Sequence, residues 1–382
     1  MSNPAFLHGV QIQEVTSLSQ PITAVSSSVI GLVGTSSDTT DFPLNTPVLV
    51  TPGSSLVANA NGSGITGTIG HALNGIFNEC STAVIVVNVG LGSDAGLSEV
   101  IGSSSANTGV YALTHAEAIT GFVPRILIAP TFSNQTGVAT AMDAVASRLR
   151  AISIIEGPNT TDANAVTFAA TLSSDREYLV DPKFYVFDEL NAVPNSARVA
   201  GVIAATDNSL GFWYSPSNKQ FQSVIGTARP IDYRRSDQYC AANILNEANV
   251  ATVINQSGQW LLWGNRATSG NFLVSRRIAD IIEDSIESAM AWAIDRPVDA
   301  TYLQDVAAKV NAFLATLKNK GAIIDGKCWP DAALNTPSNL SAGQVYFDFD
   351  YVGPYPAEQI TFKVAVNNGY LTEITSSGSV SL

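Results

Sequence analysis

Basic side chains are what this sequence has least of. No lysine or arginine precedes Arg125, and the first lysine is Lys183. The 19 basic residues face 32 acidic ones, for a net charge of −13. The shortage is uneven: residues 1–200 hold 6 basic and 15 acidic side chains, residues 201–382 hold 13 and 17. A protein that grips nucleic acid needs a basic face to displace phosphate counterions, so no nucleic-acid partner is expected. Cys80, Cys240 and Cys328 are odd in number and far apart, which argues against a disulfide framework. His8, His71 and His115 are the only histidines, and none has a second His or a Cys at ligand spacing, which removes the common zinc patterns. No apolar run approaches the ~20 residues of a membrane-spanning helix, so no membrane insertion is expected. The start of the chain shows neither the basic nor the apolar region of a signal peptide. The expectation is a soluble protein made in a cytoplasm.

What is present is apolar and neutral. Hydrophobic residues make up 46% of the 382 positions and charged residues 13%. That length suits two or three domains with ample core. Low charge with abundant Ser, Thr, Asn and Gly suits a surface hidden against copies of itself, although an acidic enzyme has the same composition.

The pattern along the chain changes twice. His8–Val15 alternates apolar Val10 and Ile12 with glutamines, and Val15 ends this half-buried strand pattern before Pro21. A terminal strand of this kind needs an edge to pair with, in its own subunit or another. From about 27 to 205 the chain reads as α/β. Strand candidates are Val29–Val33, Val48–Val50, Ala83–Val89, Arg125–Ala129, Ile152–Ile155 and Tyr178–Val180, with helix candidates at about 68–80, 137–150, 162–172 and 196–205. The unbroken run Ala83–Val89 predicts a strand covered on both faces, and the alternation predicts a mostly parallel sheet. Gly90–Gly109 reads as a long exposed loop.

Beyond Asp207 the texture is richer in Trp, Arg and aromatics. A helix is predicted over 301–320, with Leu303, Val306, Val310, Phe313, Leu314 and Leu317 on one face. Asp299 or Thr301 caps it, Lys318 and Lys320 suit its negative end, and Gly321 stops it. A second helix lies within about 276–294. Val345, Phe347, Phe349 and Tyr351 share one face of a strand. Phe362, Val364 and Val366 form another strand, Asn368-Gly369 is a hairpin turn signal, and Tyr370–Ile374, with Leu371, returns. Residues 375–382 read as a flexible tail. The expected division is therefore 1–26, 27–205, 206–374 and 375–382.

Three motifs invite a chemical reading. Gly62–Gly67 matches G-x-G-x-x-G, but no convincing strand precedes it and no acid follows the next strand to hold a ribose. Gly321–Cys328, GAIIDGKC, places Cys where a P-loop needs a hydroxyl for Mg²⁺, and it follows a helix instead of opening one. Gly321 reads better as a helix C-cap and Asp325-Gly326 as a turn. Asp348/Asp350 and Glu283/Asp284 read as solvated faces rather than acid–base pairs. No cofactor and no catalytic or metal-binding residue is expected. Arg276 and Arg277 are less ordinary. Arg276 can pair with Asp280 at i,i+4, yet two cations near a helix start oppose its dipole. Either a partner needs them or the helix begins later.

At these residues the sequence resembles the tail sheath proteins of contractile-tailed phages and R-type pyocins. The resemblance runs through Gly211–Lys219 (GFWYSPSNK), Gly226–Tyr233 (GTARPIDY), Ala242–Ile254, Leu262–Arg266 (LWGNR) and Ile294–Pro297 (IDRP). It also covers Ala141–Thr161, Ala83–Val89 and His8–Val10. It implies a structural subunit, not an enzyme, with an inner α+β domain made from both chain ends and an inserted, mostly parallel α/β outer domain. It further implies stacking around a tail tube, with baseplate and tail terminator proteins as further partners, and contraction that drives the tube through a cell envelope. The particle would be a virion tail or tail-like injector assembled in the host bacterial cytoplasm. Terminal strands bearing Val10, Ile12 and Val15, or Phe362, Val364, Val366 and Leu371, would add to neighbouring subunits. Arg276, Arg277, Lys318 and Lys320 are the candidate tube contacts. The alternatives are a nucleotide- or NAD-binding α/β enzyme, and the sheath of a bacteriocin or type VI-like injector.

Overall fold

The computed structural model describes residues 22–91, 96–187 and 189–371. Val10, Ile12 and Val15, like the tail 375–382 and the end of the returning strand, lie outside the described residues.

Strands β1 (Ile30–Gly34), β2 (Val48–Val50), β3 (Val84–Asn88), β4 (Ile126–Ile128), β5 (Ile152–Glu156) and β6 (Glu177–Val180) fall on the six predicted runs. They belong to a nine-stranded sheet completed by β8 (Lys219–Gln220), β10 (Val250–Gln256) and β11 (Gln259–Trp263), in the order β2-β3-β1-β4-β5-β6-β10-β11-β8. Strands β3, β1, β4, β5, β6 and β10 run parallel, and β2 joins one edge antiparallel. Alternate residues divide the core into two layers. Ile30, Leu32, Val84, Val86, Ile126, Ile128, Ile152 and Ile154 meet the helices Ile69–Phe77 and Ser196–Ser209. Val33, Ile85, Val87, Leu127 and Ile155 meet the helices Thr136–Leu149 and Asp162–Ala169. Both faces are dry, which is why these strands read as unbroken apolar runs.

The sheet does not stop at the expected division. The short β8 (Lys219–Gln220), β10 (Val250–Gln256) and β11 (Gln259–Trp263) come from beyond residue 206 and complete it. Strands β10 and β11 form a hairpin around Ser257-Gly258, both with positive φ (55° and 85°), the conformation of a type I′ turn. Two further strands, β7 (Phe184–Val186) and β9 (Val224–Thr227), make a separate antiparallel pair. The stretch expected as an open loop after Gly90 contains a short helix, Gly96–Ile101. Its Val100 is buried and its Ile101 packs near the start of helix Thr136–Leu149. Apolar contact, not Gly and Ser content, decides that segment.

A third cluster lies beyond the sheet. Helices Leu273–Ala289 and Ala300–Lys320 pack Val274, Ile278, Ile281, Ile282, Val310, Phe313, Leu314 and Leu317 together with Phe212, Ile323, Cys328 and Ile22. Ile22 thus joins residues from far later in the chain, Phe212 onward, and the Val25 amide donates to Ser285 Oγ at 3.1 Å. Helix Ala300–Lys320 is capped by Asp299, whose side chain accepts from the Tyr302 amide, and ends at Gly321 with φ +79°, as predicted. Strand β12 (Asp325–Pro330) follows and pairs antiparallel with β13 (Phe347–Val352). Asp325-Gly326 therefore starts a strand instead of making a turn.

Candidate assembly surfaces

Helix Leu273–Ala289 fastens the third cluster to the parallel sheet through charge. Arg125, Arg150 and Arg176 stand at or near the amino ends of β4, β5 and β6. Arg176 makes a bidentate pair with Asp280 at 2.6 and 2.8 Å. Arg150 reaches Asp284 and Glu287, each at 2.5 Å, and Arg125 pairs with Asp284. The acidic face read as solvated is thus half turned inward, because three arginines at the amino ends of these strands need partners there.

The same helix resolves the two cations at its start. It begins at Leu273, so both lie in its early turns. Arg276 bonds Asp280 at 2.9 Å, the expected i,i+4 pair, and Glu283 at 3.1 Å. Arg277 turns inward and forms a two-pronged pair with Asp207 of helix Ser196–Ser209, at 2.8 Å for one prong. Its side chain is 4% exposed. The counter-charges come from this chain, so neither expected reading is needed, and Arg277 is corrected as a candidate tube contact: burial keeps it from a partner's surface. Lys318 lies at the exposed end of helix Ala300–Lys320 and pairs with Asp325 at 2.9 Å. Its ammonium holds the Asp325 carboxyl below the usual range. Lys320 is exposed in the same turn.

The two motifs with nucleotide-like spacing take other places. Gly62–Gly67 links helix Ser55–Ala60 to helix Ile69–Phe77, where a dinucleotide site requires a preceding strand. A crevice beside it, at the carboxyl ends of β1 and β4, is lined by Gly67, Thr68, His71, Thr131 and Glu189 and encloses about 210 Å³. Sites for cofactors and drug-sized ligands run to ~300–1,000 Å³. Gly321–Cys328 runs from a helix end into β12, not into the helix N-terminus that would face a phosphate.

The described end of the chain has a different character. After β13 the chain crosses helix Leu273–Ala289 at Gly353, beside Ile278. It is tied down by Tyr355 against Phe272, rings 6.0 Å apart, and by Glu358 on Arg266 at 2.6 and 2.9 Å. Beyond Glu358 the apolar row Ile360, Phe362, Val364 and Val366 alternates with Thr361, Lys363 and Ala365. Phe362, Val364 and Val366 are 88%, 91% and 88% exposed. The segment pairs with no strand among the described residues. At the predicted turn Asn368-Gly369 the described residues form one turn of 3-10 helix, Asn368–Leu371, in place of a two-residue hairpin turn. A hairpin needs both strands to be in hand, and here the first has no ladder.

Strands β12 and β13 form a sheet of two, each with one free edge among the described residues. At the middle of β12 the outward amide and carbonyl of Cys328 are both taken by the Asn311 side chain, at 2.8 Å each. No side chain among the described residues serves the backbone of Phe347, Phe349 or Tyr351 in this way, so the edge of β13 is the bare one. Unpaired backbone along an edge is a template for another strand.

The chain matches known proteins in sequence and in fold. The family model of the phage tail sheath protein central domain matches residues 105–268, and that of the phage tail sheath C-terminal domain matches residues 269–367. The prophage major tail sheath protein of Pseudomonas aeruginosa (strain UCBPP-PA14) is 39% identical over 385 residues, covering 97% of this chain and 99% of the relative. The tail sheath protein of Escherichia phage P2 is 32% identical over 392 residues, covering 97% and 98%. Among solved structures, the contracted sheath complex of the PVC extracellular contractile injection system superposes with a TM-score of 0.71 at 16% identity, covering 97% of this chain and 100% of that one. The contracted helical sheath of the anti-feeding prophage gives 0.68 at 18%, covering 95% and 100%.

Proposed function

Because the chain belongs to the phage tail sheath protein family, we propose that it is the sheath subunit of a contractile tail or tail-like particle, a structural part and not an enzyme. Copies polymerise around a tail tube, and the array shortens to drive the tube through a cell envelope. The work comes from the difference between two packings of one sequence, so no nucleotide is consumed.

The observation that carries the reading is the bare apolar row of Phe362, Val364 and Val366, held out from the body by the Tyr355 and Glu358 anchors. An isolated strand with one apolar face gains both its ladder and its burial only on another sheet. The edge of β13 in a neighbouring subunit is the acceptor this reading favours. The terminal strand carrying Val10, Ile12 and Val15 is the second donor, and Leu371 closes the C-terminal arm. The cluster around Ile22 and helix Ala300–Lys320 forms the inner domain beside the tube, and the large sheet forms the outer one. With Arg277 buried, Arg276, Lys318 and Lys320 remain as tube contacts. Baseplate and tail terminator proteins complete the partners, and assembly takes place in the host bacterial cytoplasm. Neighbouring genes decide between a phage tail and a bacteriocin.

Electron microscopy of the purified chain tests the core of this reading. Tubes or stacked rings are expected without any other component. A stable monomer by light scattering, over a broad range of protein concentration and salt, would overturn it.

A further inference from the structure

The turn that joins the sheet to helix Leu273–Ala289 is pinned to the segment before β6 by a small polar network, and its centre is Thr268. The Thr268 amide donates to the Glu177 carbonyl at 3.0 Å. Its Oγ1 accepts from the Ser174 amide at 2.9 Å. The same oxygen lies 3.1 Å from the Ser174 carbonyl and 3.0 Å from Glu177 Oε2. A threonine hydroxyl has one proton to give and two lone pairs. A carbonyl oxygen and an ionised carboxylate both only accept, so the hydroxyl cannot satisfy the two at once. If Glu177 holds a proton, the count closes. Thr268 donates to Ser174, accepts from the Ser174 amide, and accepts from the Glu177 acid.

The surroundings favour that form. Glu177 is 3% exposed and has no ion pair among the described residues. The charged groups near it look elsewhere or repel it. Asp143, on helix Thr136–Leu149, accepts from Ser174 Oγ at 2.5 Å. Asp175 is held by Ser269 and Asn271. Arg176 is committed to Asp280 on helix Leu273–Ala289. Burial, with Asp143 adding repulsion against the single Thr268 bond, pushes the Glu177 carboxyl up to about 7.

We propose that Glu177 is a proton-held latch: as a neutral acid it donates to Thr268 and closes the joint between the sheet and helix Leu273–Ala289, and its ionisation loosens that joint. The inference concerns the folded subunit and stands apart from how subunits assemble. The folded-state value lies above that of a free carboxyl. The native chain therefore keeps a proton that the unfolded chain has already released. The stabilisation is full below the unfolded value and is lost as pH rises through about 7.

The test is amide hydrogen exchange in the peptide spanning residues 264–272, corrected for the intrinsic pH dependence, on the full chain and on Glu177→Gln. The glutamine amide donates at every pH. Protection in the parent is expected to fall several-fold between about pH 6 and about pH 8, either side of the titration, and to stay level in the variant. Parallel behaviour of parent and variant would overturn the latch. If the variant does not fold, the parent alone decides: level protection across that range overturns the proposal, and a fall confined to this joint supports it.

Discussion

At the residue scale, charge in this protein is spent on joining its own parts. Arg277 illustrates the point. In sequence it is a cation in the wrong half of a helix; in the fold it is the buried partner of Asp207. Removing one member of such a pair leaves the other charged and dry. Arg277→Met is expected to cost about 3–5 kcal/mol, measured by urea unfolding of the subunit. Arg276→Met should cost about 1 kcal/mol or less, because Arg276 is partly exposed and Asp280 keeps Arg176. Equal effects of the two substitutions would contradict the burial that separates them. The exposed cations make the opposite case. Lys318 holds only the exposed Asp325 and Lys320 has no ion pair within the subunit among the described residues, so Lys320→Glu together with Lys318→Glu is expected to destabilise the subunit only slightly, far less than Arg277→Met. If these residues face an acidic tube, the double reversal should weaken co-assembly with tube while tube-free sheath polymers persist. Tube binding that is unchanged across a salt series removes them from that contact.

At the scale of elements, the period of the sequence was a good guide wherever a partner lay in the same chain. The six predicted strands from Val29 to Val180 and the helix stopped by Gly321 fall within one residue of those observed at each end, because their apolar pattern matches neighbours that the chain itself supplies. The hairpin β10–β11 is hard to see in the sequence although Ser257-Gly258 marks its turn; its alternation is masked because residues 250–254 are buried throughout. The end of the chain is the opposite case. Phe362, Val364 and Val366 have the period of a strand, but no sheet among the described residues receives them. Replacing all three by serine is expected to leave the melting temperature of the subunit unchanged, since none contributes to its core, and to abolish polymers seen by microscopy. A drop in melting temperature would place the row against its own subunit. Polymers of normal length would remove it from assembly.

At the scale of the whole molecule, the first described residues meet a body built from the later part of the chain. Ile22 and Val25 pack against helices that begin at Leu273 and Ala300. This separates two truncations. Deleting residues 1–15 spares that contact and should give a folded, soluble subunit that builds no ordered array. Deleting through Val25 removes the buried Ile22 side chain and the amide bonded to Ser285, and should lower the melting temperature as well. If the shorter deletion unfolds the subunit, the first strand belongs to its own core and not to a neighbour's.

The sequence by itself determined the α/β alternation, the dry parallel sheet, the capped helix Ala300–Lys320 and the lack of context around its two nucleotide-like motifs. Each is written in short-range spacing, within reach of a helical turn, a pleat or a single loop. The resemblance to tail sheath proteins was legible in the same way, from ordered local segments such as Gly211–Lys219 and Leu262–Arg266. Only the tertiary structure decided where the sheet ends, which arginines face inward, that Glu177 meets Thr268 across 91 positions, and that Phe362, Val364 and Val366 stand bare. These depend on which surfaces meet after folding. A charge or an apolar row carries no mark in sequence of whether its partner lies near, far along the chain, or in another subunit.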